Sequence, residues 1–339
     1  MSEQDKIIID GIEIKPGEIK QVDIPVAQLF DSTDMLLSVK VIRGKKPGPV
    51  LLLSAGIHGD ELNGVEALRR ILKAKWIKKI NGTLIIVPIV NVFGFNNSSR
   101  YLPDGRDLNR HFPGNAKGSL ASRLANTFMR EIVKNATHVI DFHTGAKDRF
   151  NLPQIRACLS EPMTQDLAVA FDVPVIIDAS VRDGSLRDSV RELGLPMLLF
   201  EGGEASRFDE KSINSILRGI KNVMVKIGML PTKKTAPKAG AYIAKNSYWI
   251  RASKSGILTL KKDVGEKVAK NEVIATISDP FGESIESIKS IHEGIIIGCL
   301  QKPLAALGDA LLHIATFEDV DELHQTIDYY QDYLVDTPI

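Results

Sequence analysis

The chain has few cysteines and no long uncharged hydrophobic run. Only two of its 339 residues are cysteine, Cys158 and Cys299, and they lie far apart and outside any C-x-x-C spacing. This pattern argues against a disulfide framework and a thiolate metal site, and it fits a reducing cytosol. Nowhere do about 18 uncharged apolar residues follow one another, as a membrane-spanning helix requires, and no targeting pattern opens the chain. We therefore expect a soluble, unprocessed, cytoplasmic protein with no membrane partner.

The chain also lacks an excess of charge of either sign. Lysine and arginine number 43 and aspartate and glutamate 42, so the formal net charge is +1. This balance gives no general electrostatic reason to expect a nucleic-acid partner. A charged ligand would have to be bound by a local cluster of charges. The length and the 44% hydrophobic content allow one large domain, with or without a smaller one.

Short aliphatic runs alternate with amphipathic stretches between residues 35 and 228. Several of the runs are apolar at nearly every position, which is typical of strands covered on both faces. The alternation predicts a doubly wound, mostly parallel α/β sheet. The predicted strands are Leu36–Ile42, Val50–Ala55, Thr83–Ile89, Thr137–Phe142, Val173–Asp178 and Met197–Phe200, and the predicted helices are Glu61–Lys75, Leu120–Lys134, Thr164–Phe171, Arg182–Leu193 and Lys211–Val225.

A change of composition after residue 230 predicts a second, smaller unit. Residues 231–240 are polar, contain two prolines and are typical of a linker. Beyond them, two stretches that begin at Gly256 and Gly294 share a Gly-Ile start, a later glycine and a final alternating strand. This weak duplication predicts a small β-sandwich or barrel over residues 241–320, similar to a biotinyl/lipoyl-like domain. Its hairpin at 278–284 lacks a carrier lysine, so we expect a structural or lid module.

The predicted domain boundaries follow from these changes. Residues 1–230 form the main domain, with N-terminal strands in residues 1–48. Residues 321–339 form a terminal helix or tail.

Three side chains at the ends of predicted strands suit a metal ion. The motif GIHGDE follows the strand Val50–Ala55 and places His58 three residues before Glu61 in a glycine-containing loop. His143 ends the strand in DFHTG, and the carboxyl ends of parallel strands meet at one edge of the sheet. Catalytic zinc takes about three protein ligands and keeps a position for water. The sequence therefore predicts one Zn²⁺ per chain, although cobalt and manganese stay open.

A polar segment and a third strand end supply candidate substrate and catalytic groups. Residues 98–114 contain Arg100, Arg106 and Arg110 with Asn109, and guanidinium groups bind carboxylates through two hydrogen bonds. A zinc hydrolase also needs a base near the metal. Glu201 closes a strand and is the preferred base, while Glu204 in the loop beyond is the alternative. Asp178 ends another strand at this edge and receives no role.

These motifs resemble those of a known family. GIHGDELNG, DLNRHFPG, DFHTG and LFEGG, in this order, are similar to the succinylglutamate desuccinylase/aspartoacylase family, a branch of the zinc carboxypeptidase-like fold. The resemblance covers about residues 49–230, and the segment after residue 240 is similar to the C-terminal domain of that family. It implies zinc bound by His58, Glu61 and His143.

The resemblance also implies roles for the polar segment. Asp107 would orient a ligand histidine, and Asn109 and Arg110 would bind the substrate carboxylate. Arg100 would polarise the scissile carbonyl, but the spacing between Arg100 and DLNR is longer than in aspartoacylase, so Arg106 competes for this role.

The resulting expectation is zinc-dependent hydrolysis of the amide bond in a small N-acyl amino acid. Zinc and Glu201 would activate water, and Glu201 would pass the proton to the leaving amine. N-acetyl-aspartate, N-succinyl-glutamate and N-acetyl-diaminobutyrate are all compatible with the resemblance. The alternatives are a metallocarboxypeptidase acting on short peptides and a metal-binding protein without catalysis. The family and the extra module are compatible with a homo-oligomer.

Overall fold

A computed structural model describes residues 6–29, 31–179, 182–232 and 240–336. The α-helices are α1 Asn63–Ile71, α2 Val92–Asn96, α3 Leu120–Thr127, α4 Pro162–Phe171, α5 Leu186–Glu192, α6 Glu210–Lys226 and α7 Val320–Asp336. The strands are β1 Ile7–Ile9, β2 Ile12–Ile14, β3 Ile19–Gln28, β4 Asp34–Arg43, β5 Val50–Ala55, β6 Thr83–Val87, β7 His138–Gly145, β8 Arg149–Ala157, β9 Val175–Asp178, β10 Met197–Glu204, β11 Tyr242–Ala244, β12 Asn246–Arg251, β13 Gly256–Leu260, β14 Lys267–Val268, β15 Val273–Ser278, β16 Ile285–Lys289, β17 Gly294–Leu300, β18 Leu304–Ala305 and β19 Ala310–Thr316.

A large mixed sheet forms the centre of the molecule. Its main path runs β12-β19-β17-β8-β10-β7-β5-β6-β4-β3, and β9 joins it through β8. The four strands β6, β5, β7 and β10 are parallel to one another, whereas β3, β4, β8 and β17 pair antiparallel with their neighbours on the path. This arrangement confirms the predicted α/β class. Since β5, β7 and β10 point the same way, their carboxyl ends lie at one edge.

Both faces of this sheet are covered. Leu53 and Phe142 pack with residues of α1, α4 and α6, whereas the adjacent Leu52 and Val139 pack with residues of α3 and α5. Successive residues of a strand point to opposite faces, and both faces are covered, so every position of β5 after Val50 is buried. None of the helices in the described residues combines the length and the hydrophobicity needed to cross a membrane.

The chain after residue 240 both extends the large sheet and forms a second sheet. β17 pairs with β8 and leads to β19 and β12, while β16, β15, β13 and β18 form a four-stranded antiparallel sheet. The two similar stretches exchange short strands, because β14 of the first pairs with β17 of the second and β18 pairs with β13.

The barrel-like C-terminal domain is not confirmed by this arrangement, and the domain boundaries stay predictions. Most of the predicted linker, residues 233–239, lies outside the described residues, as do residues 337–339 at the end of the chain. Residues 321–336 of the predicted terminal helix or tail belong to the helix α7, which begins one residue earlier.

Several predicted elements differ from the observed ones. Strand β8 was not predicted because Asn151, Pro153 and Gln154 interrupt its apolar pattern. The helix predicted to start at Glu61 begins at Asn63, and the helix predicted from Arg182 begins at Leu186. The predicted helix over residues 120–134 becomes a π-helix at 128–132 and a 3-10 turn at 133–135. Strands β7 and β10 continue beyond their predicted ends, so His143 and Glu201 lie within them.

Candidate active site

The loop between β5 and α1 is compact because two glycines allow it. Gly56 has φ +62°, a backbone conformation that residues with a side chain rarely adopt. A Cβ on Gly59 would lie 1.9 Å from the carbonyl carbon of Gly94, so the loop packs directly against another backbone. The Glu61 N–H donates to the His58 carbonyl at 3.2 Å. This turn brings the two side chains to the same side, before the helix begins.

His58, Glu61 and His143 converge in a buried group. Glu61 Oε1 lies 2.7 Å from His58 Nδ1, and Glu61 Oε2 lies 2.8 Å from His143 Nδ1. The two Nδ1 atoms are 3.2 Å apart, and the three ligand atoms lie within 4.8 Å of one another. All three side chains are at most 4% exposed. Two imidazoles and a carboxylate form a donor set that suits zinc.

A carboxylate contacts the outer nitrogen of each histidine. Asp107 Oδ1 lies 3.1 Å from His58 Nε2, and Asp141 Oδ2 lies 2.8 Å from His143 Nε2. The Ser54 hydroxyl donates to Asp141 Oδ1 at 2.7 Å. In the neutral tautomer that carries its proton on Nε2, each histidine donates to its aspartate and keeps the Nδ1 lone pair for the shared centre. The residues therefore fit a metal ion.

Asp141 was not predicted from the sequence although a signal was present. Asp141 and His143 are two residues apart in one strand, so their side chains point to the same face of the sheet. The motif DFH therefore contains both a ligand candidate and its supporting carboxylate.

The charges of Glu61 and of the two histidines shift one another's pKa values. Burial favours the neutral form of Glu61, but the two histidines outweigh it and hold the pKa of this carboxyl well below its usual value. Burial likewise opposes the charge of His143, yet Asp141 and Glu61 raise the pKa of this imidazole well above normal. The pKa of His58 is raised against the effect of burial by Glu61 and Asp107.

Arg100 contacts the candidate metal ligands, whereas Arg106 does not. Arg100 Nη1 donates to Glu61 Oε1 at 3.2 Å, and Nη2 donates to Asp107 Oδ2 at 2.9 Å. Arg106 instead pairs with Asp104 at 2.6 Å and does not line the cavity. Of the two candidate arginines, only Arg100 lies at the site.

Asn109 and Arg110 line the same cavity. Asn109 is buried, and its Oδ1 accepts from the backbone N–H of Leu186 at the start of α5, at 2.9 Å. Its own backbone N–H donates to Asp107 Oδ1 at 2.9 Å. Arg110 is exposed and donates through Nη1 to the Asn109 carbonyl. Hydrogen bonds of Asn109 therefore connect the polar segment 98–114 to Asp107 at the site and to Leu186 of α5.

Glu201 lies in β10 opposite His143 in register and lines the cavity. Asn151 Nδ2 donates to Glu201 Oε2 at 2.5 Å, and Arg156 Nε lies 3.5 Å from Oε1. Asn151 was not anticipated, because the strand that carries it was not predicted.

The expectation that Glu204 lies in a flexible loop is wrong. Glu204 belongs to the same strand, is 8% exposed and accepts from the backbone N–H of Asp148. A shift in register separates it from Glu201, and Glu204 does not line the cavity. Asp178 also lies outside the cavity and accepts from the Leu159 N–H.

The cavity has a volume of about 400 Å³ and is open to solvent on one side. Cavities of this size accept small-molecule ligands. Its lining includes the candidate metal ligands and also Trp249 and Arg251 of β12, which are distant from those ligands in the sequence. This contribution was not predicted from the sequence, since it depends on how the last third of the chain packs.

The catalytic-domain family of succinylglutamate desuccinylase and aspartoacylase matches residues 47–227. The chain belongs to this family. The match includes all three candidate metal ligands and Glu201. The predicted resemblance is therefore confirmed.

Three known proteins are similar to this chain over most of its length. The N-alpha-acetyl-L-2,4-diaminobutyric acid deacetylase of Halomonas elongata is 26% identical over 294 residues, which cover 83% of this chain and 86% of the relative. The product-bound ectoine utilization protein EutE (DoeB) from Ruegeria pomeroyi has a TM-score of 0.82 at 23% identity, covering 93% of this chain and all of that chain. A succinylglutamate desuccinylase/aspartoacylase from Rhodobacter sphaeroides has a TM-score of 0.79 at 23% identity, over 88% and 95%.

Proposed function

We propose that the protein is a zinc-dependent amidohydrolase that cleaves the amide bond of a small N-acyl amino acid into a carboxylic acid and a free amino acid. The observation that carries the proposal is the convergence of His58, Glu61 and His143 in a cavity that also contains Glu201. The similarity to a diaminobutyric acid deacetylase supports the same reaction class.

In this proposal the metal ligands are His58 Nδ1, His143 Nδ1 and the Glu61 carboxylate. Asp107 and Asp141 hold the histidines in the tautomer that binds a metal. A bound zinc ion would act as a Lewis acid and would lower the pKa of the water it binds to about 7.

Glu201 is the general base and later the general acid. It removes a proton from the attacking water, whose oxygen bonds to the carbonyl carbon, and delivers that proton to the amide nitrogen as the C–N bond breaks, which gives the carboxylic acid and the free amine. Asn151 holds one carboxylate oxygen and Arg156 lies beside the other, which fixes the direction of the base. A base held in this way is positioned before the substrate binds.

Arginine and asparagine side chains bind the remaining parts of the substrate. Arg100 donates to the oxygen of the scissile carbonyl as negative charge develops there. Asn109 and Arg110 bind the α-carboxylate of the amino-acid half, for which a guanidinium offers two parallel hydrogen bonds. All three residues line the cavity with the metal ligands.

The decisive experiment compares Glu201→Gln with Glu204→Gln. We expect Glu201→Gln to bind zinc as the unchanged protein does but to lose turnover by about 10²- to 10⁴-fold, the usual contribution of a general base. Glu204→Gln is the matched control and should keep most of the activity, because Glu204 does not line the cavity. Full activity in Glu201→Gln would contradict the assignment.

The metal requirement and the substrate are tested together. Release of free amine is measured on a panel of N-acetyl and N-succinyl amino acids with the protein as purified, after chelation and after zinc is restored. We expect activity to vanish with the metal and to return with it. Absence of turnover despite stoichiometric zinc would favour short peptides as substrates and, if these also fail, a metal-binding protein without catalysis.

A further inference from the structure

Strand β10 becomes irregular directly after the proposed base. Glu201 lies opposite His143 in the pair of β10 and β7, but the register shifts before Glu204. The pairing of β10 with β8 is irregular at the same place, between Glu201 and Gly203. Gly203 has φ +75°, a backbone conformation that favours glycine. A bulge therefore follows the base, and regular sheet hydrogen bonds do not fix its backbone.

The side chain of Asn63 holds this irregular segment at two points. Its Nδ2 donates to the Gly202 carbonyl at 3.1 Å, and its Oδ1 accepts from the backbone N–H of Asp209 at 2.9 Å. Asn63 is completely buried, and these partners are 139 and 146 residues away in the sequence. A carboxamide offers both a donor and an acceptor, and Asn63 uses one of each for the two backbone groups.

The packing around Asn63 is tight. A Cβ on Gly203 would lie 2.4 Å from Asn63 Nδ2, so the bulge passes directly against the carboxamide. A Cβ on Gly64, the next residue of α1, would lie 2.5 Å from the Cβ of Phe142 and 2.9 Å from the Cβ of Ala55. The start of α1 is therefore fixed on the two strands that lead to the candidate metal ligands.

Asn63 also belongs to the stretch of chain that carries two of these ligands. It follows Glu61 by two residues and is the first residue of α1. Close by, the Ser206 N–H donates to the Asp60 carbonyl at 2.7 Å. Three hydrogen bonds, two of them from one side chain, therefore join residues 58–63 to the segment that follows the base.

A general base must lie at the correct distance from the water that it activates. A displacement of about 1 Å can lower the rate about 10²-fold. Here the base and the candidate metal ligands belong to different elements, so their distance depends on how these elements are joined. Asn151 holds one carboxylate oxygen of Glu201. It does not hold the backbone of Glu201, whereas Asn63 holds the carbonyl of the next residue.

We propose that Asn63 is a positioning residue that sets the place of Glu201 relative to the candidate metal ligands. It acts through the backbone of Gly202, and it does not line the cavity. This proposal rests on the proposed function, in which Glu201 is the base. The role needs both ends of the carboxamide, because alanine forms neither bond and aspartate would turn an acceptor toward the Gly202 carbonyl.

The first test compares Asn63→Ala and Asn63→Asp with the unchanged protein. We expect both variants to lower kcat about 10- to 100-fold and to keep KM and zinc affinity within about twofold, because the base moves while the groups that bind substrate and metal do not. Asn63→Asp keeps an acceptor for the Asp209 N–H and loses the donor to Gly202. A normal kcat in Asn63→Asp would contradict the proposal.

Asn135→Ala is the matched control. Asn135 likewise joins distant backbone groups, since its Nδ2 donates to the Ile8 carbonyl at 3.1 Å and its Oδ1 accepts from the Ile8 N–H at 3.4 Å. It does not line the cavity. We expect chemical denaturation to show a loss of stability in this variant without a change in kcat. An equal fall of kcat in Asn135→Ala and Asn63→Ala would mean that general loosening of the fold explains the effect.

A second test determines whether the effect passes through Glu201. Asn63→Ala is introduced into the Glu201→Gln protein, and the residual kcat is measured by amine release over long incubations. We expect little further loss, because a missing base cannot be misplaced. A further loss as large as in the protein with Glu201 intact would overturn the proposal.

A measurement without turnover separates this proposal from the proposed function. Hydrogen–deuterium exchange of the zinc-loaded protein is followed by mass spectrometry in peptides that cover residues 200–206 and 138–145. Asn63→Ala should accelerate exchange about tenfold in the first peptide and leave the second unchanged, and Asn135→Ala should change neither. This pattern without hydrolysis of any amide would reject the proposed function but keep the positioning of residue 201. Unchanged exchange in residues 200–206 would refute the positioning role itself.

Discussion

The chemistry of single residues at this site depends on which nitrogen of each histidine faces the shared centre. Both Nε2 atoms contact aspartates, so both Nδ1 atoms face Glu61. A histidine with the opposite tautomer would direct a proton at the metal position. In the proposed zinc site, Asp107 and Asp141 therefore hold the two ligand histidines in the tautomer that can bind the metal.

We expect Asp141→Asn to weaken zinc binding by about 10- to 100-fold, the usual effect of losing a carboxylate behind a ligand histidine. The asparagine amide can donate to Nε2 and thereby favour the wrong tautomer of His143. Affinity is measured by competition with a chromophoric chelator. Asp178→Asn is the control, since Asp178 lies outside the cavity. Equal affinities of the two variants would refute this role.

Arg100 and Arg106 are distinguished by their partners. Arg100→Gln is expected to lower kcat about 10²-fold, because it removes a donor from the developing negative charge on the carbonyl oxygen. Arg106→Gln should be close to normal, because Arg106 pairs with Asp104 away from the cavity. Steady-state kinetics on the preferred substrate check both values. The reverse order would return Arg106 to the catalytic role.

At the level of elements, a glycine of β17 leaves room for the asparagine that holds the proposed base, Glu201. Gly298 lies opposite Asn151 in the pair of β17 and β8, and a Cβ on it would lie 2.6 Å from Asn151 Oδ1. Asn151 in turn donates to Glu201. A strand from the last third of the chain therefore supports a residue of the first two thirds.

We expect Gly298→Ala to lower kcat roughly tenfold by displacing Asn151 from Glu201. If the effect passes through Asn151, the same substitution made in an Asn151→Ala protein should have little further effect. The test is a double-mutant cycle on kcat, with circular dichroism to verify that each variant is folded. Additive losses would mean that Gly298 acts by another route.

Helix α1 is joined to α6 by ion pairs, and we expect their contribution to the free energy of unfolding to depend on pH. Arg69 and then Arg70 hold the pKa of Glu66 at about 2, and Arg70 also pairs with Glu210 of α6. Because the pKa in the folded state is lowered, this network stabilises the fold above the ordinary carboxyl pKa of about 4.3. The contribution is lost as the pH falls from there toward 2.

Glu66→Gln should therefore lower the free energy of unfolding at pH 7 but have a smaller effect at pH 3. Urea denaturation at the two pH values measures the difference. Glu283→Gln, on an exposed turn, serves as the control. An equal loss at both pH values would show that packing rather than charge accounts for the effect.

At the scale of the whole molecule, the terminal helix α7 packs against elements that precede residue 230. Tyr330 is 1% exposed, packs in the core shared with α6 and donates its hydroxyl to Ser215 at 2.8 Å. Leu323 and Ile327 of the same helix pack with Leu152 of β8 and residues of β17. Apolar side chains of α7 therefore hold this helix against α6, β8 and β17.

We expect Tyr330→Ala to lower the free energy of unfolding by about 3–5 kcal/mol, the range for truncating a large buried aromatic side chain. Tyr330→Phe should cost about 1 kcal/mol, since it removes only the hydrogen bond to Ser215. Chemical denaturation of both variants is the measurement. A small effect of Tyr330→Ala would mean that α7 does not contribute to the stability of the fold.

The α/β class, the family and the residues that meet at the strand ends all follow from the order of amino acids alone. Apolar runs and glycine-containing turns are local patterns, and parallel strands necessarily share an edge, so the sequence is enough to group His58, Glu61 and His143. The ends of the elements were less predictable, because β10 continues beyond its predicted end by pairing with β7 on one side and with β8 on the other.

The contribution of the last third of the chain to the site follows instead from long-range packing. The Asn151–Glu201 contact and the places of Trp249 and Arg251 in the cavity lining depend on β17 and β12 joining the large sheet. Such pairings join residues distant in sequence, and no local pattern specifies them. The arginines of the cavity lining have the same origin, because they are scattered along a nearly neutral chain and come together only when the elements that carry them pack around one cavity.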